Sequence, residues 1–405
     1  MDPRILALGS ELEVSLVPDA VGWSISPRFT SGKACVAGDG AAEALLALLR
    51  QDGDLADSWQ ALRLATIPEV SDERAITVDQ TNTSVVVGER VIVKWLRSVT
   101  DEPQPSLAAL AQLSAVGFDR MPVSYAVLTW TSPTGRVLPI AYVSEYLAGA
   151  VDGWSWCVDL VRAIAARDRR DPWTADLPSR LGEVAAELHV ALATPNHVFP
   201  RPMQTAGASR VQRWYDGAFA MLDQALQVED PAARSVLTPR AAAIAACFDD
   251  CLGAEDPLAG TPVQHIHGDL HVGQILRWEG ALAIVDFDGN PVAPAGSGVM
   301  HPAARDVAQL IRSIDHVGQV VLHRNPGLDA APVHDWLGHS RDEFLDSYRK
   351  TLLHNAMSFL LDERLLAAFE LEQELREIVY ADRHLPEWAF APLASLQDML
   401  PADPG

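Results

Sequence analysis

The chain has 405 residues, 48% of them hydrophobic, and a formal net charge of −23. That length calls for two or three structural units with a large core. The negative balance argues against gripping a nucleic-acid backbone, which needs a surface rich in lysine and arginine. No segment approaches the roughly 20 apolar residues that span a bilayer, and the start does not read as a cleaved leader. A cytoplasmic location is therefore expected, and four cysteines without zinc-ribbon spacing fit a reducing compartment.

In chain order, residues 1–75 read as a mixed N-terminal cap subdomain. ELEVSLV alternates like a strand, and AAEALLALLR carries the apolar stripe of a helix. Residues 76–148 read as a β-rich nucleotide-binding lobe. TSVVVGERVIVKWL is two β-branched runs joined at GER, the signature of a hairpin. SLAALAQLSAVGF reads as a helix. SYAVLTW and VLPIAYVSEYL are two strands around the turn SPTG. From 149 to 405 the composition becomes helical, apart from HIHGDLHVGQILRWEGALAIVDFDGNP. That stretch places three histidines, three aspartates and a glutamine between two short apolar strands. Ligands favour clefts of the kind two such lobes could form.

This stretch admits three chemistries. His265, His267 and His271 lack a fourth ligand at a supporting spacing, which disfavours structural zinc. The aspartates could be ordinary solvated turn residues. Phosphoryl transfer uses more of the pattern. It needs a carboxylate to orient and deprotonate the attacking hydroxyl, and oxygen ligands to hold magnesium on the phosphates. Asp269 sits in a loop after an apolar strand, Gln274 offers an amide oxygen, and Asp286 ends a strand with the hard anionic oxygen magnesium prefers. Elsewhere, Lys94 stands inside the apolar strand VIVKWL, where a lysine needs an anionic partner or a phosphate. The polar turn DQTNTS before it offers the amides and hydroxyls of Thr81, Asn82, Thr83 and Ser84 as a phosphate cradle. SEYL ends the last small-lobe strand, where an adenine could pair with the backbone.

HGDLHVGQ followed by AIVDFDGNP resembles the catalytic and metal loops of the aminoglycoside-phosphotransferase-like kinases, in particular their maltokinase-like branch. DQTNTSVVVGERVIVKWLR, RDVAQLIRSIDH and EIVYADRHLPEWAFAPL resemble further segments of that branch in the same order, over roughly residues 75–393. The resemblance implies an α+β, bilobal protein-kinase-like (aminoglycoside phosphotransferase-like) fold with an N-terminal cap subdomain, using ATP and Mg2+. It assigns Asp269 as catalytic base, Gln274 and Asp286 as magnesium ligands with Asp288 in support, Lys94 on the ATP phosphates, and Glu145 to Leu147 as hinge. Arg305 and Asp306 are implied to brace the catalytic loop. In one respect the chain departs from the pattern. Related kinases pair the strand lysine with a glutamate on the next helix, but EPQPSLAALAQL has no carboxylate near Ala108, and Glu102 is the nearest substitute.

For the acceptor, the resemblance implies a sugar site beside Asp269 and His267. Trp388 and Tyr380 offer ring faces, and Glu377 and Asp382 offer acceptors. Maltokinases phosphorylate the anomeric hydroxyl of maltose, and relatives phosphorylate the 6-hydroxyl of glucosamine. The acidic residues around RHLPEW suit an ammonium-bearing sugar, which turns the expectation towards glucosamine. Maltose, an aminoglycoside, and a catalytically weak kinase-like binding protein are the alternatives. The sequence carries no signal of oligomeric state.

Overall fold

The computed structural model describes residues 4–20, 22–51, 53–56, 58–76, 82–102, 105–168, 170–253, 258, 260–287 and 300–401. The chain forms two compact units, Met1–Ala150 with Ala283–Gly298, and Val151–Leu282 with Val299–Gly405. No helix among the described residues is long and apolar enough to cross a membrane.

The first unit holds β1 (Ile5–Ala7), β2 (Leu12–Pro18), β3 (Trp23–Phe29), α1 (Ala41–Arg50), β4 (Trp59–Arg63), β5 (Glu73–Ala75), β6 (Thr83–Val87), β7 (Val91–Trp95), β8 (Ser98–Val99), α2 (Pro105–Val116), β9 (Ser124–Thr131) and β10 (Val137–Glu145). A four-stranded sheet runs β1-β2-β3-β8, and a six-stranded sheet runs β4-β9-β10-β7-β6-β5. The expected boundary at 75/76 is not a seam in this strand pairing. β4 and β5 join the six-stranded sheet by pairing with β9 and β6. In return β8 joins the four-stranded sheet. Gly88 and Glu89 turn the β6–β7 hairpin with φ of 59° and 52°, both positive, as the tight hairpin turns that match strand twist require. Pro139 sits where the β9–β10 register shifts, a place that tolerates its missing N–H. On α1, Leu45, Leu46 and Leu49 are buried, each stabilising by about 1.5–3 kcal/mol over the exposed state.

The second unit is mostly helical. It holds α3 (Gly153–Ala165), α4 (Leu177–Ala193), β11 (Met203–Thr205), α5 (Ala208–Ala225), α6 (Pro231–Leu237), α7 (Ala241–Leu252), β12 (Pro262–His265), β13 (Ile275–Trp278), β15 (Met300–His301), α8 (Ala304–Arg324), α9 (Ala331–His354), α10 (Leu366–His384) and α11 (Phe390–Met399). Between β13 and β15 the chain makes β14 (Ala281–Ile284), entered through Glu279 and Gly280, both at positive φ. α8 is buried on nearly every face, so each polar side chain it carries needs a partner inside the protein.

Candidate active site

In the first unit, register decides which side chains meet. Ser84 and Tyr142 lie directly opposite Lys94 on the two neighbouring strands, and directly opposed residues project from one face of a sheet. The Lys94 Nζ lies 2.5 Å from Asp286 Oδ1, which supplies the anionic partner that a lysine in an apolar strand requires. Asp286 takes φ of 66°, a left-handed conformation uncommon outside glycine, asparagine and aspartate. Of the cradle residues, Ser84 is buried and Thr83 exposed. Asn82 Oδ1 accepts from the Arg97 amide at 3.3 Å. Thr81 and Asp288 lie outside the described residues. At the strand end, the Glu145 carboxylate turns back to accept from the Val123 N–H, and the Tyr146 N–H donates to Arg90 O. The buried Leu147 N–H meets no acceptor among the described residues. That leaves it available to an edge of a planar base.

In the second unit the loop after β12 is fastened by one helix. Asp306 on α8 accepts from the His267 and Gly268 amides at 2.7 and 2.9 Å, and its Oδ2 lies 3.1 Å from His189 Nε2. His189 in turn contacts the Tyr348 hydroxyl at 2.6 Å. Burial alone would raise the Asp306 pKa. The hydrogen bond and charge of His189, the charge of His267 and the Gly268 amide outweigh it and hold the carboxyl below its ordinary range. One turn on, Gln309 donates to Asp269 Oδ1 at 2.7 Å, and Ser313 Oγ accepts from the Val272 amide at 3.0 Å. Asp306, Gln309 and Ser313 thus form a polar stripe at helical spacing. Arg305 does not brace the loop as expected: it pairs with Glu372 on α10 and stacks on Phe369.

Asp269 keeps a partly exposed carboxylate, with His271 Nε2 3.9 Å from Oδ2. Gln274 ends the short helical turn Val272–Gln274. Its Nε2 stands 3.5 Å from the His271 ring. Among the described residues no three His, Cys, Asp or Glu side chains gather as a metal-binding group. His267, expected on the acceptor side, is buried at 2% exposure, and its Nδ1 accepts from the Asp269 amide at 3.3 Å. It shapes the loop from within. α3 closes on the same loop: a Cβ at Gly153 would stand 1.6 Å from Val272 O, so only glycine permits the approach.

The acceptor-side residues separate. Trp388 packs edge-on to Trp154, which follows Gly153, with centroids 5.1 Å apart, and to His316 at 6.1 Å. His316 Nε2 lies 2.8 Å from Glu374. Burial disfavours its charged form, but Glu374 overcomes this and raises the imidazole pKa. Glu377 accepts from Gln373 at 2.9 Å. Asp382 points elsewhere, its Oδ1 accepting from the Glu229 and Asp230 amides. Five residues on a helix turn about 140° at 3.6 residues per turn, so it cannot share a face with Glu377. Tyr380, 42% exposed, lies against His384. Sequence reasoning passed over Asp315. It stands next to His316, and its buried Oδ2 makes no hydrogen bond among the described residues but is ion-paired with Arg312 at 4.0 Å. It also passed over Gln309, whose signal was a polar residue recurring at helical spacing with Asp306 and Ser313.

A strand lysine that meets a carboxylate and a loop aspartate anchored by a helix resemble parts that a kinase uses for phosphoryl transfer. No protein-family model matches the chain. It is 41% identical over 412 residues to a glucosamine kinase of Streptacidiphilus jiangxiensis, covering 98% of this chain and 90% of the relative. It is 36% identical over 403 residues to a glucosamine kinase of Mycolicibacterium smegmatis, covering 99% and 98%. Among solved structures, a glucosamine kinase superposes with a TM-score of 0.85 at 38% identity, covering 98% of this chain and 93% of that one. A glucosamine kinase in complex with glucosamine, ADP and inorganic phosphate superposes with a TM-score of 0.84 at 37% identity. The chain belongs to the glucosamine kinase family.

Proposed function

We propose that this protein transfers the γ-phosphoryl group of ATP to the 6-hydroxyl of glucosamine. The observation that carries the reading is the hold on Asp269. Its Oδ1 is fixed by Gln309, and its amide by His267. Oδ2 remains to take the proton of an attacking hydroxyl. Seven residues beyond Gln309, about 10 Å along the helix at 1.5 Å per residue, α8 carries His316 to the Trp388 ring. A sugar ring resting there would sit about two helical turns from the residue that orients Asp269.

The other residues take complementary roles. Lys94 binds the phosphates, Ser84, Asn82 and Thr83 line their approach, and the hinge at Glu145 and Leu147 receives the base. Asp286 brings the hard anionic oxygen that suits Mg2+, so it would hold the ion, and the Gln274 amide oxygen suits the same metal. Bound there, the ion neutralises phosphate charge. Glu377 and Asp315, whose Oδ2 is ion-paired with Arg312 at 4.0 Å without a hydrogen bond, are the acids proposed to meet the sugar ammonium, while Asp382 serves the fold. The test is incubation of the purified protein with Mg2+, ATP and, separately, glucosamine, glucose, maltose and kanamycin, with NMR of each product. Glucosamine 6-phosphate is expected. Phosphorylation of maltose at its anomeric hydroxyl, with glucosamine ignored, overturns the reading.

A further inference from the structure

Protein-kinase sites divide two duties between two carboxylates. One, on the helix after the lysine strand, orients the lysine, and another binds the metal. In this protein the helix in that position, α2, is PSLAALAQLSAV and brings no acid. What it brings to the lysine's neighbourhood is a hydroxyl. Ser106 Oγ, on a residue 1% exposed, lies 2.7 Å from the Tyr142 hydroxyl, and Tyr142 stands directly opposite Lys94. Ser84 flanks the lysine from the other strand. Hydroxyls can accept hydrogen bonds from an ammonium but do not neutralise it. The charge is met instead by Asp286, at 2.5 Å. Asp286 takes up this position with a left-handed backbone conformation that most residues avoid.

We infer that Asp286 performs both duties in turn: it is the counter-ion of Lys94 while the nucleotide is absent, and it is released to a divalent cation when Lys94 moves to the phosphates. The inference rests on the proposed role of Asp286 as a metal ligand. Lys94 occupies a carboxylate oxygen that a cation needs, so the nucleotide-free protein discriminates against the metal. ATP phosphates compete for the lysine, and each contact Lys94 makes with them frees Asp286. Nucleotide and cation therefore load cooperatively, and by linkage each strengthens the other's binding by the same factor.

The inference is tested by Mn2+ binding, followed by electron paramagnetic resonance and calorimetry without nucleotide, a readout independent of turnover. Lys94→Met removes the competing charge and is expected to tighten Mn2+ binding by about tenfold, the worth of a charge-assisted contact discounted for partial exposure. Lys94→Gln carries the same expectation should Lys94→Met not fold. The gain is expected to vanish in Lys94→Met/Asp286→Asn. If the single variants bind Mn2+ no more tightly than the wild type, or if the gain survives neutralisation of Asp286, the inference is wrong. A non-hydrolysable ATP analogue separates it from the reading beneath. If Asp286→Asn keeps wild-type Mn2+ affinity in the analogue complex, Asp286 is no metal ligand and that reading fails with the inference. If Asp286→Asn loses that affinity while Lys94→Met shows no gain, the inference fails alone.

Discussion

Asp269, the proposed base, illustrates how a side chain's character depends on which of its oxygens is already bound. One oxygen is committed to Gln309, which sets orientation, and the other, 3.9 Å from His271 Nε2, is the one proposed to meet the attacking hydroxyl. Asp269→Asn should keep the fold and nucleotide binding and lower kcat by about 10²–10⁴-fold, the usual weight of a positioned general base. A variant retaining a tenth of wild-type turnover would show that the base lies elsewhere. The same reasoning separates the acids of the proposed sugar site. Asp315→Asn should reduce the preference for glucosamine over glucose by roughly 10- to 150-fold in kcat/KM, the worth of a hydrogen bond to a charged group. Asp382→Asn should leave that preference alone and lower thermal stability instead, because its carboxylate accepts from two backbone amides. Selectivity measured with both sugars at saturating ATP decides between them. Residue type alone did not distinguish these aspartates. Asp382 was legible as an acid near a tryptophan, but which helix face it occupied depended on contacts with Glu229 and Asp230, some 150 positions away.

Elements were legible where local pattern sufficed. The helix at Ala41–Arg50 and the β6–β7 hairpin carry their own periodicity and turn chemistry. β4, WQALR, and β5, ERA, are short and partly charged. They become strands because β9 and β6 offer them edges, a long-range cause invisible to a window of neighbours. The approach of α3 to the catalytic loop belongs to the same class. Nothing around Gly153 in sequence announces Val272, yet a methyl group there has no room. Gly153→Ala should therefore cost about 1–3 kcal/mol or more, as overpacking does, and lower kcat by displacing the loop that carries Asp269. Chemical denaturation and steady-state kinetics check the two effects. Unchanged stability and kcat together would mean that the loop yields without consequence.

For the whole molecule, the buried node at Asp306 joins α4, α8, α9 and the catalytic loop through His189, Tyr348, His267 and Gly268. Asp306→Asn should remove about 3–5 kcal/mol at neutral pH, the typical cost of breaking a buried charged network. The pH dependence has a definite sign. The folded Asp306 pKa lies below its ordinary value, so its contribution is complete above the unfolded value of about 3.9 and is lost as pH falls through the folded one. The stability gap between wild type and variant in urea should narrow below about pH 4, and a gap unchanged from pH 7 to pH 3 would rule this account out. Domain organisation was the least legible level, since the sequence marks composition shifts and not returns of the chain. The segment Ala283–Gly298 belongs to the unit begun by Met1–Ala150, and this has a consequence for synthesis. Emerging from the ribosome, the first unit must wait while roughly 130 further residues are made, about 7–26 s at ~5–20 residues per second. Throughout that interval Lys94 stands in a sheet whose counter-charge has not yet been translated. A fragment ending at residue 150 should inherit that unfinished state permanently.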